Sequence, residues 1–177
     1  LPNGLQFVHV QGNGHCLYNA VELYLGQDVS LLRDVVAANL ENNISEYQQF
    51  ITLPEGRTME SYIQDVRDGN EWAGDLEITI LSKLLNRPII AINPNIQIIN
   101  KQILDIRLNN EEPIFVYYDN INHYNGLILT ERNSGAGAIL EKLLQRPPPE
   151  MTEHVNPHSG ENAEVISCTS PKLLNHV

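Results

Sequence analysis

Cysteine is scarce in this chain: its 177 residues include two, Cys16 and Cys168, at opposite ends. Two thiols so far apart exclude a disulfide-dense secreted scaffold and give none of the close pairings of a zinc knuckle. No apolar run approaches the ~20 residues that a membrane-spanning helix needs. Basic residues are few, 11 Lys and Arg against 22 Asp and Glu, for a formal charge of −11. That field repels nucleic-acid phosphates and anionic lipid, so neither nucleic acid nor membrane is an expected partner. A basic protein or a basic peptide tail suits it better. The opening Leu1-Pro2-Asn3-Gly4 carries neither a basic region nor an apolar core, so no secretory leader is read there and a reduced, cytoplasmic setting is expected. The chain does not start with methionine and is expected to be a piece of something longer.

What remains is ordinary globular material, 42% hydrophobic and 19% charged, of a length suited to one compact monomeric domain with an appended tail. Leu5 to Val10 alternates and reads as a strand ending at the Gly12-Asn13-Gly14 turn. Leu17, Ala20, Val21, Tyr24 and Leu25 then recur at helical spacing, with Gly26 as stop. A second helix follows Asp28 or Ser30, with Leu32, Val35, Val36 and Leu40 inward. Ser45 to Ile51 and Met59 to Val66 read as shorter helical pieces, and Asp75 to Leu85 as a helix carrying Leu76, Ile80, Leu81 and Leu84. The period then changes. Residues 88–92, Ile96 to Ile99, Ile114 to Tyr118 and Tyr124 to Thr130 read as strands bounded by Pro and Asn turns. Helices first and strands after, without βαβ alternation, indicate an α+β fold with a small, mostly antiparallel sheet flanked by helices. Residues 1–132 are expected to form the domain, 133–149 a helix ended by Pro147-Pro148-Pro149, and 150–177 a flexible polar tail.

Cys16 follows a Gly-x-Gly turn and opens an apolar-periodic helix. A thiol there feels the positive end of the helix dipole, which favours thiolate. The backbone N–H groups of Gly14, His15 and Cys16 lack helical acceptors and are candidates for an oxyanion hole. The competing reading is a buried cysteine acting as a small hydrophobe. A nucleophilic thiol needs a base, itself oriented by a third group. Of the six histidines, 154, 158 and 176 fall in the expected tail, His9 belongs to the first strand, and His15 abuts the nucleophile but diverges from it. His123 sits at the mouth of a strand, and Asn125, two residues on, would share its face and orient the ring. A solvent-satisfied strand-edge histidine is the alternative. Trp72 suits either a substrate channel or a core lid. Asp75 and Glu77 read as capping and solvated helix positions, and Cys168 as a bystander. No ligand spacing supports a metal site, and no cofactor is implied.

Gly12-Asn13-Gly14-His15-Cys16-Leu17-Tyr18 resembles the nucleophile motif of the ovarian-tumour (OTU) family of deubiquitinating cysteine proteases, which usually reads Asp-Gly-x-Cys-Leu and an aromatic. His123-Tyr124-Asn125 resembles the family's histidine strand. The stretch from Trp72-Ala73-Gly74-Asp75-Leu76-Glu77 to Asn86-Arg87-Pro88-Ile89 is similar to its middle region. The resemblance spans residues 5 to 130. It implies a papain-like fold and hydrolysis of isopeptide bonds at the carboxyl end of ubiquitin or polyubiquitin, through a thioester on Cys16 with His123 as base. It also implies Asn125 as orienter and an oxyanion held at Gly14 to Cys16; substrate contacts are expected from Trp72, Gly74 and Tyr124. Ubiquitin's basic, glycine-ended tail suits an acidic protein with a narrow slot.

One departure is Asn13, where the family often has Asp; an amide cannot supply the same charge to an imidazolium, so Asn13 is read as a supporting loop residue. Two other readings stay open: a papain-like peptidase with another substrate, and a ubiquitin-binding module that has lost turnover. The Asn- and Ile-rich composition points to an AT-rich genome, with a bacterial effector acting in host cytosol as one expectation.

Overall fold

The computed structural model describes residues 1–105, 112–130 and 135–145, and its centre is a four-stranded sheet. The strands are β1 (Leu5–Val8), β2 (Ile89–Ile92), β3 (Ile114–Tyr118) and β4 (Tyr124–Leu129), in spatial order β1-β4-β3-β2. β4 is antiparallel to both β1 and β3, while β2 runs parallel to β3. All four residues of β2 are buried, as befits an apolar strand covered on both faces.

The helices are α1 (Cys16–Leu25), α2 (Val29–Asn42), α3 (Ile44–Tyr47), α4 (Met59–Asp68), α5 (Asp75–Leu85) and α6 (Ala136–Leu144). Their ends follow local chemistry. Asp28 caps α2 by accepting from Ser30 N–H at 2.7 Å, and Thr58 caps α4 by accepting from Ser61 N–H at 3.2 Å. Gly26 and Gly69 end α1 and α4 in the left-handed conformation that glycine adopts without penalty. α1 packs on β4, and α2 packs on α1, α4 and α5, so the core lies between the sheet and this helical layer. α6 joins the same core through Ala136, Ile139 and Leu143.

Three sequence readings change here. Ile96 to Ile99 is not a strand: Ile96 has φ +59°, and a single bridge, Ile92 to Ile98, links the segment to β2. The free edge of β2 is satisfied by a side chain as well. Asn100 accepts from Ala91 N–H at 2.9 Å and donates to Ile89 C=O at 2.8 Å. Second, Val35 and Leu84 are exposed. The buried stripe of α2 is Leu32, Arg33, Val36, Ala37 and Leu40, which leaves Val35 on the outer side. Third, Glu77 caps α5 but is not solvated, being 3% exposed. Its Oε2 accepts from Gly74 N–H at 2.7 Å and its Oε1 from Tyr62 O–H at 2.8 Å. The expected proline break, the tail and Cys168 lie outside the described residues.

Candidate active site

α1 starts at Cys16 because the preceding turn prepares it. Gly14 has φ +82°, which glycine tolerates and a side chain would not. Asn13 Oδ1 accepts from His15 N–H at 3.2 Å and from Asn19 Nδ2 at 3.4 Å, tying the turn to the first turn of the helix. Leu17 and Tyr18 are buried and anchor the helix, whereas Cys16 is half-buried. The first helical bond runs from Asn19 N–H to His15 C=O at 2.9 Å. Gly14 N–H and Cys16 N–H have no hydrogen-bond acceptor among the described residues. Of the three expected oxyanion donors, His15 N–H is therefore engaged by Asn13, and two remain.

The His15 ring is committed elsewhere. Its Nδ1 accepts from Arg33 Nε at 2.7 Å, so the neutral ring carries its proton on Nε2. Burial, reinforced by the Arg33 charge, lowers the His15 pKa.

His123 stands at the end of the turn between β3 and β4, and Asp119 shapes that turn. Asp119 Oδ1 accepts from the backbone N–H groups of Ile121 at 2.8 Å, Asn122 at 3.0 Å and His123 at 3.0 Å. Desolvation pulls the Asp119 carboxyl upward, but these donors, helped by the His123 charge, outweigh it and lower its pKa. The His123 ring lies against the Gly12 turn: a β-carbon built on Gly12 would be 3.7 Å from Nδ1. Its Nε2 is buried and has no hydrogen-bond partner among the described residues.

Asn125 is buried, and its Oδ1 accepts from Val10 N–H at 3.2 Å and from His9 Nδ1 at 3.1 Å. The backbone donor identifies that atom as the oxygen, so His9 carries a proton on Nδ1. The expected bond to the His123 ring is not among those the amide makes. Residues two apart share a face only within a regular strand, and His123 precedes β4 in the turn. The His9 and His123 rings are 6.1 Å apart between centroids.

Next to these groups is a cavity of about 310 Å³ lined by Gly74, Asp75, Ile99, Tyr118 and Tyr124. The two tyrosine rings lie 4.8 Å apart. Desolvation raises the pKa of both phenols, and the nearby Asp75 and Cys16 add to the rise. Trp72 is 60% exposed, so it is not a core lid. Its Nε1 lies 3.7 Å from where a Gly14 β-carbon would sit, beside the turn that leads into Cys16. Among the described residues no group of three or more His, Cys, Asp or Glu side chains is placed to hold a metal ion.

The profile of a family described as OTU-like cysteine protease matches residues 11–126, from the turn before Cys16 through His123 and Asn125. The chain belongs to the OTU-like cysteine protease family. Among relatives, the human deubiquitinase OTUD6B is 28% identical over 99 residues, covering 50% of this chain and 34% of that protein. Ovarian tumor domain-containing deubiquitinating enzyme 2 of Arabidopsis thaliana is 27% identical over 124 residues, 68% of this chain and 57% of that protein. The chain thus spans from about a third to just over half the length of these two relatives. An OTU domain solved in complex with ubiquitin superposes with a TM-score of 0.59 at 20% identity, covering 78% of this chain and 81% of that one. An OTU deubiquitinase from Wolbachia pipientis wMel gives 0.57 at 16% identity, covering 80% and 98%. At these identities the likeness is one of fold, and the fold is the α+β, papain-like arrangement of OTU domains.

Within this OTU-like site, sequence reading missed Arg33 and the part played by His9, and saw Asp119 only as turn chemistry. Arg33 lies between Leu32 and Val36 on the stripe that also holds Ala37. A face wide enough to include Ala37 takes in residue 33, and that was the available signal. Nothing local announces that His9 meets Asn125 across 116 positions of sequence.

Proposed function

We propose that this chain is a thiol protease that hydrolyses the isopeptide bond at the carboxyl terminus of ubiquitin, with Cys16 as nucleophile and His123 as base. The observation that carries the reading is the packing of the His123 ring, whose Nε2 has no partner among the described residues, on the turn that delivers Cys16 to the head of α1. Membership of the OTU-like family and the likeness to OTU domains solved with ubiquitin support ubiquitin as the substrate.

In this reading the Cys16 thiolate attacks the carbonyl carbon of ubiquitin's last glycine. The oxyanion is met by the N–H groups of Gly14 and Cys16, which have no acceptor of their own among the described residues. His123, having taken the thiol proton, gives it to the leaving lysine amine, and a thioester remains. Water then attacks the thioester, His123 accepts its proton, and ubiquitin is released as the carboxylate. Asn125 acts by fastening the chain at His9 and Val10 to β4, which keeps the Gly12 turn against His123. Asn13 holds the loop, and Trp72, Gly74 and Tyr124 border the slot for the glycine-ended tail.

A ubiquitin probe with a carboxyl-terminal electrophile tests this directly. Wild type and Cys168→Ser are expected to gain the mass of one ubiquitin, and Cys16→Ala none. Labelling that survives Cys16→Ala overturns the reading. Binding without labelling by wild type favours a ubiquitin-binding module instead.

The Asp119 turn supplies a second test. Asp119→Ala leaves three backbone donors without their acceptor and loosens His123, so kcat is expected to fall about tenfold. Asp119→Asn keeps an accepting oxygen and is expected to stay within about threefold of wild type. Equal losses in both variants on a fluorogenic ubiquitin substrate would show that the turn does not depend on that oxygen.

A further inference from the structure

Arg33 is 1% exposed, yet no carboxylate lies within salt-bridge distance of it among the described residues. Its guanidinium is spent on the turn before Cys16, the last turn of α4 and the loop after it. Nη2 donates to Gly14 C=O at 2.6 Å and Nε to His15 Nδ1 at 2.7 Å. Nη1 donates to Val66 C=O at 2.7 Å and to Glu71 C=O at 3.2 Å. The flat group also stacks on Tyr18, 4.4 Å from the ring centroid. The surrounding titratable groups are His15, Cys16, Tyr18, Glu71 and Glu77. A buried cation held mainly by carbonyls adds little to stability that an apolar side chain of similar volume would not supply. What it does is join the turn before Cys16 to the loop that leads into Trp72.

We propose that Arg33 is the positioning residue of the nucleophile loop, its fork fixing the Gly14–His15 peptide and the Glu71–Trp72 wall on either side of Cys16. This rests on Cys16 being the nucleophile. With Gly14 C=O drawn toward Arg33, the N–H of the same trans peptide points the opposite way, where Asn13 Oδ1 receives it. The next peptide is fixed by the helix, since His15 C=O accepts from Asn19 N–H. With both peptides set, Cys16 N–H projects from the helix start beside its own sulfur, as an oxyanion donor must. Lysine carries the same charge but cannot fork to four acceptors.

Wild type, Arg33→Lys, Arg33→Met and Cys16→Ala, all in a Cys168→Ser background, are compared below their melting temperatures. The readouts are turnover of a carboxyl-terminal fluorogenic ubiquitin substrate and the rate of Cys16 alkylation by iodoacetamide. Arg33→Met is expected to lower kcat about 100-fold and Arg33→Lys about tenfold, with KM within about twofold of wild type in both. Alkylation is expected to slow in the same order. A lower melting temperature with kcat, KM and alkylation unchanged would make Arg33 merely structural and overturn the proposal.

If Arg33→Met does not fold, His15→Ala and His15→Gln decide. His15→Ala removes one anchor and is expected to lower kcat about fivefold. His15→Gln returns an acceptor for Arg33 Nε and is expected to recover most of that loss. Wild-type rates in both Arg33→Lys and His15→Ala overturn the proposal. Turnover persisting in Cys16→Ala removes the nucleophile reading itself. If wild type does not turn over the substrate, the alkylation rates alone decide Arg33's part.

Discussion

Cys16→Ala is expected to lower kcat/KM for a ubiquitin carboxyl-terminal substrate by at least about 10⁴-fold, because it removes the thiol that forms the thioester. His123→Ala is expected to cost about 10³-fold or more. The thiol would keep its place at the head of α1, but nothing would take its proton or return one to the leaving amine. The double variant is expected to be no worse than Cys16→Ala, since the pair works as a unit and its losses do not add. Ubiquitin affinity, measured by calorimetry on Cys16→Ala, is expected to stay within about threefold of wild type, because the sulfur contributes to the reaction more than to the ground-state complex. Two results would sink this assignment. One is a His123→Ala enzyme within about threefold of wild type; the other is losses from the two single variants that simply multiply in the double.

A large loss of stability is expected from changing a residue that takes no part in the chemistry. Glu77→Ala is expected to destabilise the fold by about 3 kcal/mol, since it leaves Gly74 N–H and the buried Tyr62 hydroxyl without their acceptor. For a chain of this size that lowers the melting temperature by about 8 °C. Gly74 also lines the cavity, so KM is expected to rise as its loop loosens. Glu77→Gln keeps an oxygen for Gly74 N–H and turns Tyr62 from donor to acceptor, and is expected to lie within about 1 kcal/mol of wild type. The pH dependence has a definite sign. Burial raises the Glu77 pKa in the folded protein in spite of the two donors. The folded state therefore binds this proton more tightly than the unfolded chain does. The stability it contributes is complete below the unfolded carboxyl value and declines as pH rises toward the folded one. Denaturant midpoints across that range are expected to fall more steeply for wild type than for Glu77→Gln. Equal slopes would mean that Glu77 is ionised in the fold.

Local pattern carried a large part of this protein. The helices beginning at Cys16, Val29, Met59 and Asp75 are written in apolar spacing, caps and left-handed glycines, all of which act within a few residues. The β3 and β4 strands were equally legible, because β-branched and aromatic runs between turns leave little else to form. Reading failed where the outcome depended on a distant partner. Ile96 to Ile99 has strand composition, but Asn100 had already taken backbone groups on that edge of β2. Val35 and Leu84 have the right character for a core, yet the helices are rotated by packing that one segment cannot reveal.

The site divides along the same line. The sequence by itself determined that a thiol would open a helix after a glycine turn, and that a histidine would stand at the mouth of a strand, because each depends only on nearby backbone. Only the tertiary structure decided that the His123 ring packs on the Gly12 turn, that Asn125 serves His9 and Val10, and that Arg33 is swallowed whole to hold Gly14 and Glu71. Those are meetings across tens of residues or more, and a hydrogen bond leaves no mark in sequence until the chain has closed the loop that forms it.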